Sequence, residues 1–228
     1  MKQIISFLNA LSQNNNREWF LANKKEYEEC KAKFEQFTDE LIAAVSEFDP
    51  TIRGLKAKDC TYRIYRDVRF SADKSPYKTH FGCYIVRGGK KSGYNGYYFH
   101  ISTGQENNYP HAHMIAVGDY CMDPKILALL REDIQCGGGD FEQTILQAQG
   151  YRLDSDQKLK RMPKGFEEGC PYADYIKYKA FCLYQTPSTD YILSPNLVSH
   201  VASEFQKAKP FLDYINRAIE YHKEGNQD

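Results

Sequence analysis

Ile4, Phe7, Leu8 and Leu11 open the chain at the spacing of one helical face, and Asn14 to Asn16 follow as a stop and a fresh N-cap. After Trp19 and Phe20 a longer series, Tyr27, Phe34, Phe37, Leu41, Val45 and Phe48, continues mostly three or four residues apart until Pro50. Between Asp59 and Gly118 the period drops to two, which predicts strands at Thr61–Phe70, Thr79–Arg87, Tyr94–Ser102 and His111–Val117. Turn residues separate them at Ser71–Pro76, Gly88–Gly93 and Thr103–Pro110, and such short connections predict an antiparallel meander. Asp123 and Pro124 then read as an N-cap and first turn of a helix that stops at Gly137–Gly139, with Asp140 capping another through Leu146. Lys177–Gln185 reads as a further strand. Leu197, Val201, Phe205, Leu212, Ile215 and Ile219 predict a closing helix that Pro210 kinks or splits. The expected architecture is a single α+β domain over residues 1–228. Its antiparallel sheet spans about residues 60–118 plus the later strand, packed with N-terminal and C-terminal helices.

Composition narrows this picture without redirecting it. Hydrophobic residues make up 42% of the chain, enough for a core, and no linker or low-complexity tract divides it. Thirty basic residues balance thirty acidic ones, so no net field draws the molecule to nucleic acid or to an anionic membrane, and either partner would have to meet a local patch. The seven cysteines are scattered and contain no CxxC pair, so they read as reduced, buried thiols in a cytoplasmic protein. The N-terminal apolar run is too short and too interrupted for a membrane span, and it lacks a signal-peptide cleavage pattern.

One local patch stands out against that neutrality. From Lys56 to His80 seven basic residues face three acidic ones. Parity on a strand from Thr61 to Phe70 places Arg66 among Tyr62, Ile64, Val68 and Phe70, where a guanidinium needs a carboxylate, carbonyls or a bound anion. Asp67 and Arg69 fall together on the other face. Arginine forks hold carboxylate or phosphate bidentately, so Arg63, Arg66, Arg69, Lys74 and Lys78 are the candidate ligands for an anionic small molecule, phosphorylated ones included. Asp67, Asp73 and His100 are the candidate acids and bases. The competing reading is a salt-bridge network around Asp67 and Asp73 that serves folding, within a non-enzymatic binding or scaffold module.

The run RIYRDVRFSADKSPYKTHFG, beginning at Arg63, resembles the signature of DUF2461, a bacterial and fungal family defined as a domain of unknown function. The opening NALSQNNNREWF is similar to that family's asparagine-and-aromatic motif. The segments GDYCMDPKILALLREDI and KRMPKGFEEGCP resemble its helix entry and its proline–glycine turn. The resemblance spans nearly the whole chain and implies no particular activity, cofactor or catalytic residue.

Elsewhere the signals are weaker. His111 and His113 form an HxH pair that would share one strand face, but the pair alone defines no metal site, and Asn107–Pro110 before it reads as an exposed loop end. The run from Arg87 to Lys91 lacks the strand–loop–helix setting of a P-loop and reads as a hairpin turn. No GxSxG, HExxH or dinucleotide fingerprint appears. Tyrosines near the patch (Tyr62, Tyr65, Tyr77, Tyr84) suit base stacking or strand packing equally.

Overall fold

A computed structural model describes residues 1–105, 109–156 and 158–225. Helix α1 (Lys2–Gln13) buries Ile4, Phe7, Leu8 and Leu11, the stripe its spacing predicts. Asn16 caps α2 (Arg17–Ala22) by accepting the Trp19 amide at 2.9 Å, and α3 (Lys24–Ser46) follows with Tyr27, Cys30, Phe34, Phe37, Leu41 and Val45 inward. Asp49 caps a 3-10 turn at Pro50–Ile52, and α4 (Ala57–Cys60) leads into the sheet region.

The sheet has five strands among the described residues: β1 (Phe81–Ile85), β2 (Gly96–Ile101), β3 (Met114–Asp119), β4 (Arg152–Leu153) and β5 (Phe181–Gln185). Their order is β1-β2-β3-β5-β4, with every pairing antiparallel. Four of the five predicted strand segments therefore hold a strand, with trimmed ends. Thr61–Phe70 does not: it makes only isolated bridges, Thr61 to Cys83 of β1 and Tyr65 to Tyr77 within the same charged segment. The HxH pair also precedes β3 rather than lying on it.

Helix α5 (Pro124–Gln147) starts as expected, with Asp123 accepting the Lys125 and Ile126 amides, and its helical geometry breaks at the expected glycines, though no loop separates the two halves. It bends at Gly137 (φ −150°, ψ 36°) and continues, so Asp140 sits inside the helix instead of capping a second one. The glycines serve a close approach: a Cβ on Gly138 would stand 2.3 Å from the Tyr172 ring, which leads into α6 (Ala173–Ile176). After β5, Ser188 caps α7 (Thr189–Ile192), and α8 (Leu197–Glu224) runs through Pro210 unsplit. Ala208, Phe211 and Leu212 are buried around the proline, and that packing offsets the backbone bond it forfeits.

Alternation along the strands sends Phe81, Cys83, Ile85, Tyr97, Phe99, Ile101, Ile115, Val117, Phe181 and Leu183 into the core. Phe37 meets Phe99 at 5.1 Å between centroids, Phe205 meets Tyr97 at 5.0 Å and Phe141 meets Phe181 at 5.2 Å, so α3, α5 and α8 cover one face of the sheet. Each such buried ring contributes roughly 1.5–3 kcal/mol. All seven cysteines are free thiols. Cys30, Cys60, Cys83 and Cys170 are buried as expected, whereas Cys121 and Cys136 are exposed and Cys182 is half-buried. Among the described residues no helix is long and apolar enough to cross a membrane.

Candidate functional site

The polar segment is a long excursion that pairs with itself. The Arg66 amide donates to the Pro76 carbonyl at 2.9 Å, the Lys78 amide to that of Ile64 at 2.8 Å, and the Tyr62 amide to Gly82 at 3.0 Å. A proline and a run of side chains that bond their own backbone keep it from becoming a regular ladder. At its tip Asp73 accepts the Ser75 amide at 2.9 Å and hydroxyl at 2.7 Å, and it also holds the Arg66 guanidinium. Arg66 donates further to the Ser75 carbonyl at 3.1 Å and the Ser71 hydroxyl at 3.3 Å. Arg69 forks onto Asp67 at 3.0 and 2.7 Å, and the Lys74 ammonium donates to the Val68 carbonyl at 3.0 Å. The Ser75 donors and Arg66 pull the Asp73 carboxyl down to about 2, and the Arg69 fork pulls Asp67 below its ordinary value. Both carboxylates are held ionised as struts.

Three of the five candidate cations are thus engaged within the loop. Arg63 and Lys78 differ: neither makes a hydrogen bond or ion pair among the described residues. Arg63 is exposed and Lys78 half-buried, its ammonium 5.3 Å from the Tyr62 ring centroid. Lys90 reaches the same ring at 5.3 Å while donating to the Thr61 carbonyl at 2.6 Å. Burial, and then the charge of Arg63, lowers the proton affinity of Lys78.

The N-terminal asparagine motif anchors this excursion. The Asn15 amide donates to the Tyr77 carbonyl at 2.9 Å and its oxygen accepts the Tyr77 amide at 3.1 Å, a side chain standing in for a neighbouring strand. Phe20 stacks on Tyr77 at 3.9 Å. The two most distinctive motifs of the sequence therefore meet.

Beside the excursion lies the other face of the sheet, which carries Gly82, Tyr84, Tyr98, His100, Met114, Ala116, Gly118, Cys182 and Tyr184 by strand parity. His100 approaches the Ala112 carbonyl through Nε2 at 2.6 Å, so the proton sits on Nε2 and Nδ1 accepts the Tyr98 hydroxyl at 3.0 Å. Gly82 leaves room for this pair, since a Cβ there would stand 3.0 Å from the Tyr98 hydroxyl. The His80 ring stacks on His100 at 4.9 Å, with Tyr109 at 5.7 Å from His80 and 5.8 Å from His100. His80 Nδ1 is buried with no hydrogen-bond partner among the described residues. Burial pushes His80 down to about 2 and His100 to about 4, and it drives the Tyr98 phenol well above its usual value. These groups are neutral at pH 7.

His113 is used otherwise. Its Nδ1 accepts the Ser102 amide at 3.1 Å, so Nε2 donates to the Thr189 hydroxyl at 3.2 Å, tying the loop after β2 to α7. His111 is not part of that link. Among the described residues no group of three or more His, Cys, Asp or Glu is placed to hold a metal ion. Asn107 and Asn108 of the expected loop end lie outside the described residues.

The structure brings Lys78, Tyr62, Tyr98, His100, His80 and Tyr109 into one row and leaves Arg69 and Lys74 out of it. Tyr62 was singled out only for stacking, and Tyr98, Lys90 and Tyr109 were not singled out by the sequence. Alternation in the run from Tyr97 to Ser102 carried the one available signal, because Tyr98 and His100 share a parity opposite to Tyr97, Phe99 and Ile101.

Residues 3–214 match the family described as conserved hypothetical protein (DUF2461), and the chain belongs to that family. No curated protein and no solved structure gives a significant match.

Proposed function

We propose that this DUF2461 member binds a small anionic molecule where the 61–80 excursion meets the open face of the sheet. Lys78 and Arg63 supply the charge, and His80 with Tyr98 supplies neutral hydrogen-bonding groups. The observation that carries this reading is Lys78 itself: half-buried, its ammonium 5.3 Å from the Tyr62 ring centroid, and in no hydrogen bond or ion pair among the described residues, with burial first and the charge of Arg63 second lowering its proton affinity. An unpaired, partly desolvated cation is costly, and a phosphate or carboxylate group relieves that cost. Arg66, Arg69 and Lys74 act in this reading as loop struts rather than ligands.

The test is calorimetric titration of the full chain with inorganic phosphate, sugar phosphates and nucleoside monophosphates, repeated on Lys78→Met and Arg69→Met. Saturable binding by one class, lost in Lys78→Met and kept in Arg69→Met, is the expected result. Binding that survives Lys78→Met, or none across the panel, removes the proposal. The second reading, a non-enzymatic scaffold module with a structural signature, draws support from the internal pairing of three of the five cations, and the absence of binding favours it.

A further inference from the structure

The turn between β1 and β2, with its two glycines and two lysines, folds back toward the excursion. The Gly89 amide donates to the Val86 carbonyl and the Ser92 amide to that of Gly89, both at 2.9 Å, so two turns follow one another. Lys90 between them reaches Tyr62, its ammonium 5.3 Å from the ring centroid and 2.6 Å from the Thr61 carbonyl. The Lys78 ammonium approaches the same ring at 5.3 Å. Neither lysine forms an ion pair among the described residues, and neither does Arg63, whose charge acts on Lys78 after burial does. Three cations close to one tyrosine, none of them answered by a carboxylate, suit a ligand that carries a phosphate.

The surface beside these charges is aromatic. The Tyr84 hydroxyl donates to the Gly118 carbonyl at 3.1 Å and accepts the Gly96 amide at 2.8 Å, so this side chain crosses from β1 over β2 to β3. Strands stand about 4.8 Å apart, and a side chain that spans two of them lies flat along the sheet. Tyr120, just past β3, continues the parity of Ala116 and Gly118 onto that face and is 74% exposed. Burial, and after it the Tyr120 phenol, raises the phenol of Tyr62, which places Tyr120 near the cations as well. Asp67 is committed to the Arg69 fork and Asp119 to the Cys121 amide. Sugar hydroxyls therefore find few acceptors here, whereas a flat ring finds stacking partners.

We infer that the anion recognised at this site is a free nucleotide, its phosphate against Lys78, Lys90 and Arg63 and its base stacked on Tyr120 beside the flat Tyr84 ring. This rests on the anion-binding reading and narrows it, adding Lys90 as a ligand and Tyr120 as the residue that selects a base. The zero net charge of the chain favours a single nucleotide over a strand, whose phosphates need a continuous basic groove.

Calorimetric titration of the full chain with adenosine monophosphate, ribose phosphate, inorganic phosphate and a short single-stranded oligonucleotide tests it. The nucleotide should bind more tightly than ribose phosphate by about tenfold or more. Tyr120→Ala should remove that advantage without moving the affinity for ribose phosphate, and Tyr120→Phe should keep it. Lys90→Met should weaken both ligands by about tenfold. Tyr120 is exposed, so its variants decide the matter if Lys90→Met fails to fold. Equal affinity for nucleotide and ribose phosphate, an undiminished advantage in Tyr120→Ala, unchanged affinity in a folded Lys90→Met, or tighter binding of the oligonucleotide than of the mononucleotide overturns the inference and leaves the anion-binding reading standing. No binding of any phosphate removes both.

Discussion

A guanidinium cannot shed its charge, so what each arginine of the signature does is settled by what stands beside it. Arg66 is one-quarter exposed and serves three acceptors across the loop, whereas Arg69 is three-quarters exposed and serves one. Arg66→Met should therefore lower stability by about 1–2 kcal/mol in urea unfolding, and Arg69→Met should leave the midpoint unchanged because exposed pairs contribute little. Equal effects would contradict this assignment. The histidines make a second residue-scale prediction. His80 near 2, and His100 and His113 near 4, all lie below the ordinary histidine value of 6.5, so in between the unfolded chain binds more protons than the folded one. Their contribution is fully present above about pH 6.5 and is lost as pH falls toward about 4, on the order of 1 kcal/mol per histidine per pH unit. The melting temperature should drop between pH 7 and pH 5, and a flat profile over that window would show that these rings are not buried neutral.

Among the elements, the segment Thr61–Phe70 had a strand's alternation and became an excursion, because Asp67, Asp73, Ser71 and Ser75 offered the backbone and arginines nearer partners than a ladder would. Phe70, assigned by parity to an apolar face, is 98% exposed. Its closure depends on α1 and α2 through Asn15, so Asn15→Ala, which removes two hydrogen bonds, should cost about 1–3 kcal/mol and raise amide exchange at Tyr77. Unaltered exchange would show that Phe20 stacking alone holds the segment. In the sheet, Gly118 adopts φ +111°, and a Cβ there would meet the Phe181 carbonyl oxygen at 2.2 Å, across the β3–β5 pairing. Gly118→Ala should destabilise the protein by about 3 kcal/mol or more, measurable as a lowered urea midpoint. A neutral result would mean that β5 can shift.

At the scale of the whole molecule, one contiguous cluster runs from Ile4 in α1 through the sheet to Ile219 in α8, which leads us to propose a single cooperative domain. Trp19, the sole tryptophan, packs against Phe7 in the N-terminal helices and reports from one side of that cluster. Its fluorescence and far-UV circular dichroism should follow one urea transition, and separated midpoints would divide the chain into independent units. The sequence alone determined the helices α1, α3 and α8, the strand segments that became β1, β2, β3 and β5, and the α+β class, because burial of an amphipathic face imposes a period that composition along the chain records directly. It also located the charged segment. Only the tertiary structure decided that α5 bends and continues at Gly137, that Arg66 and Arg69 close a loop, and that Lys78, Tyr62, Tyr98, His100 and His80 line up in one row of contacts. Those outcomes depend on partners distant in the chain, Tyr172 against Gly138 and Asn15 against Tyr77, and periodicity carries no information about which distant residues come into contact.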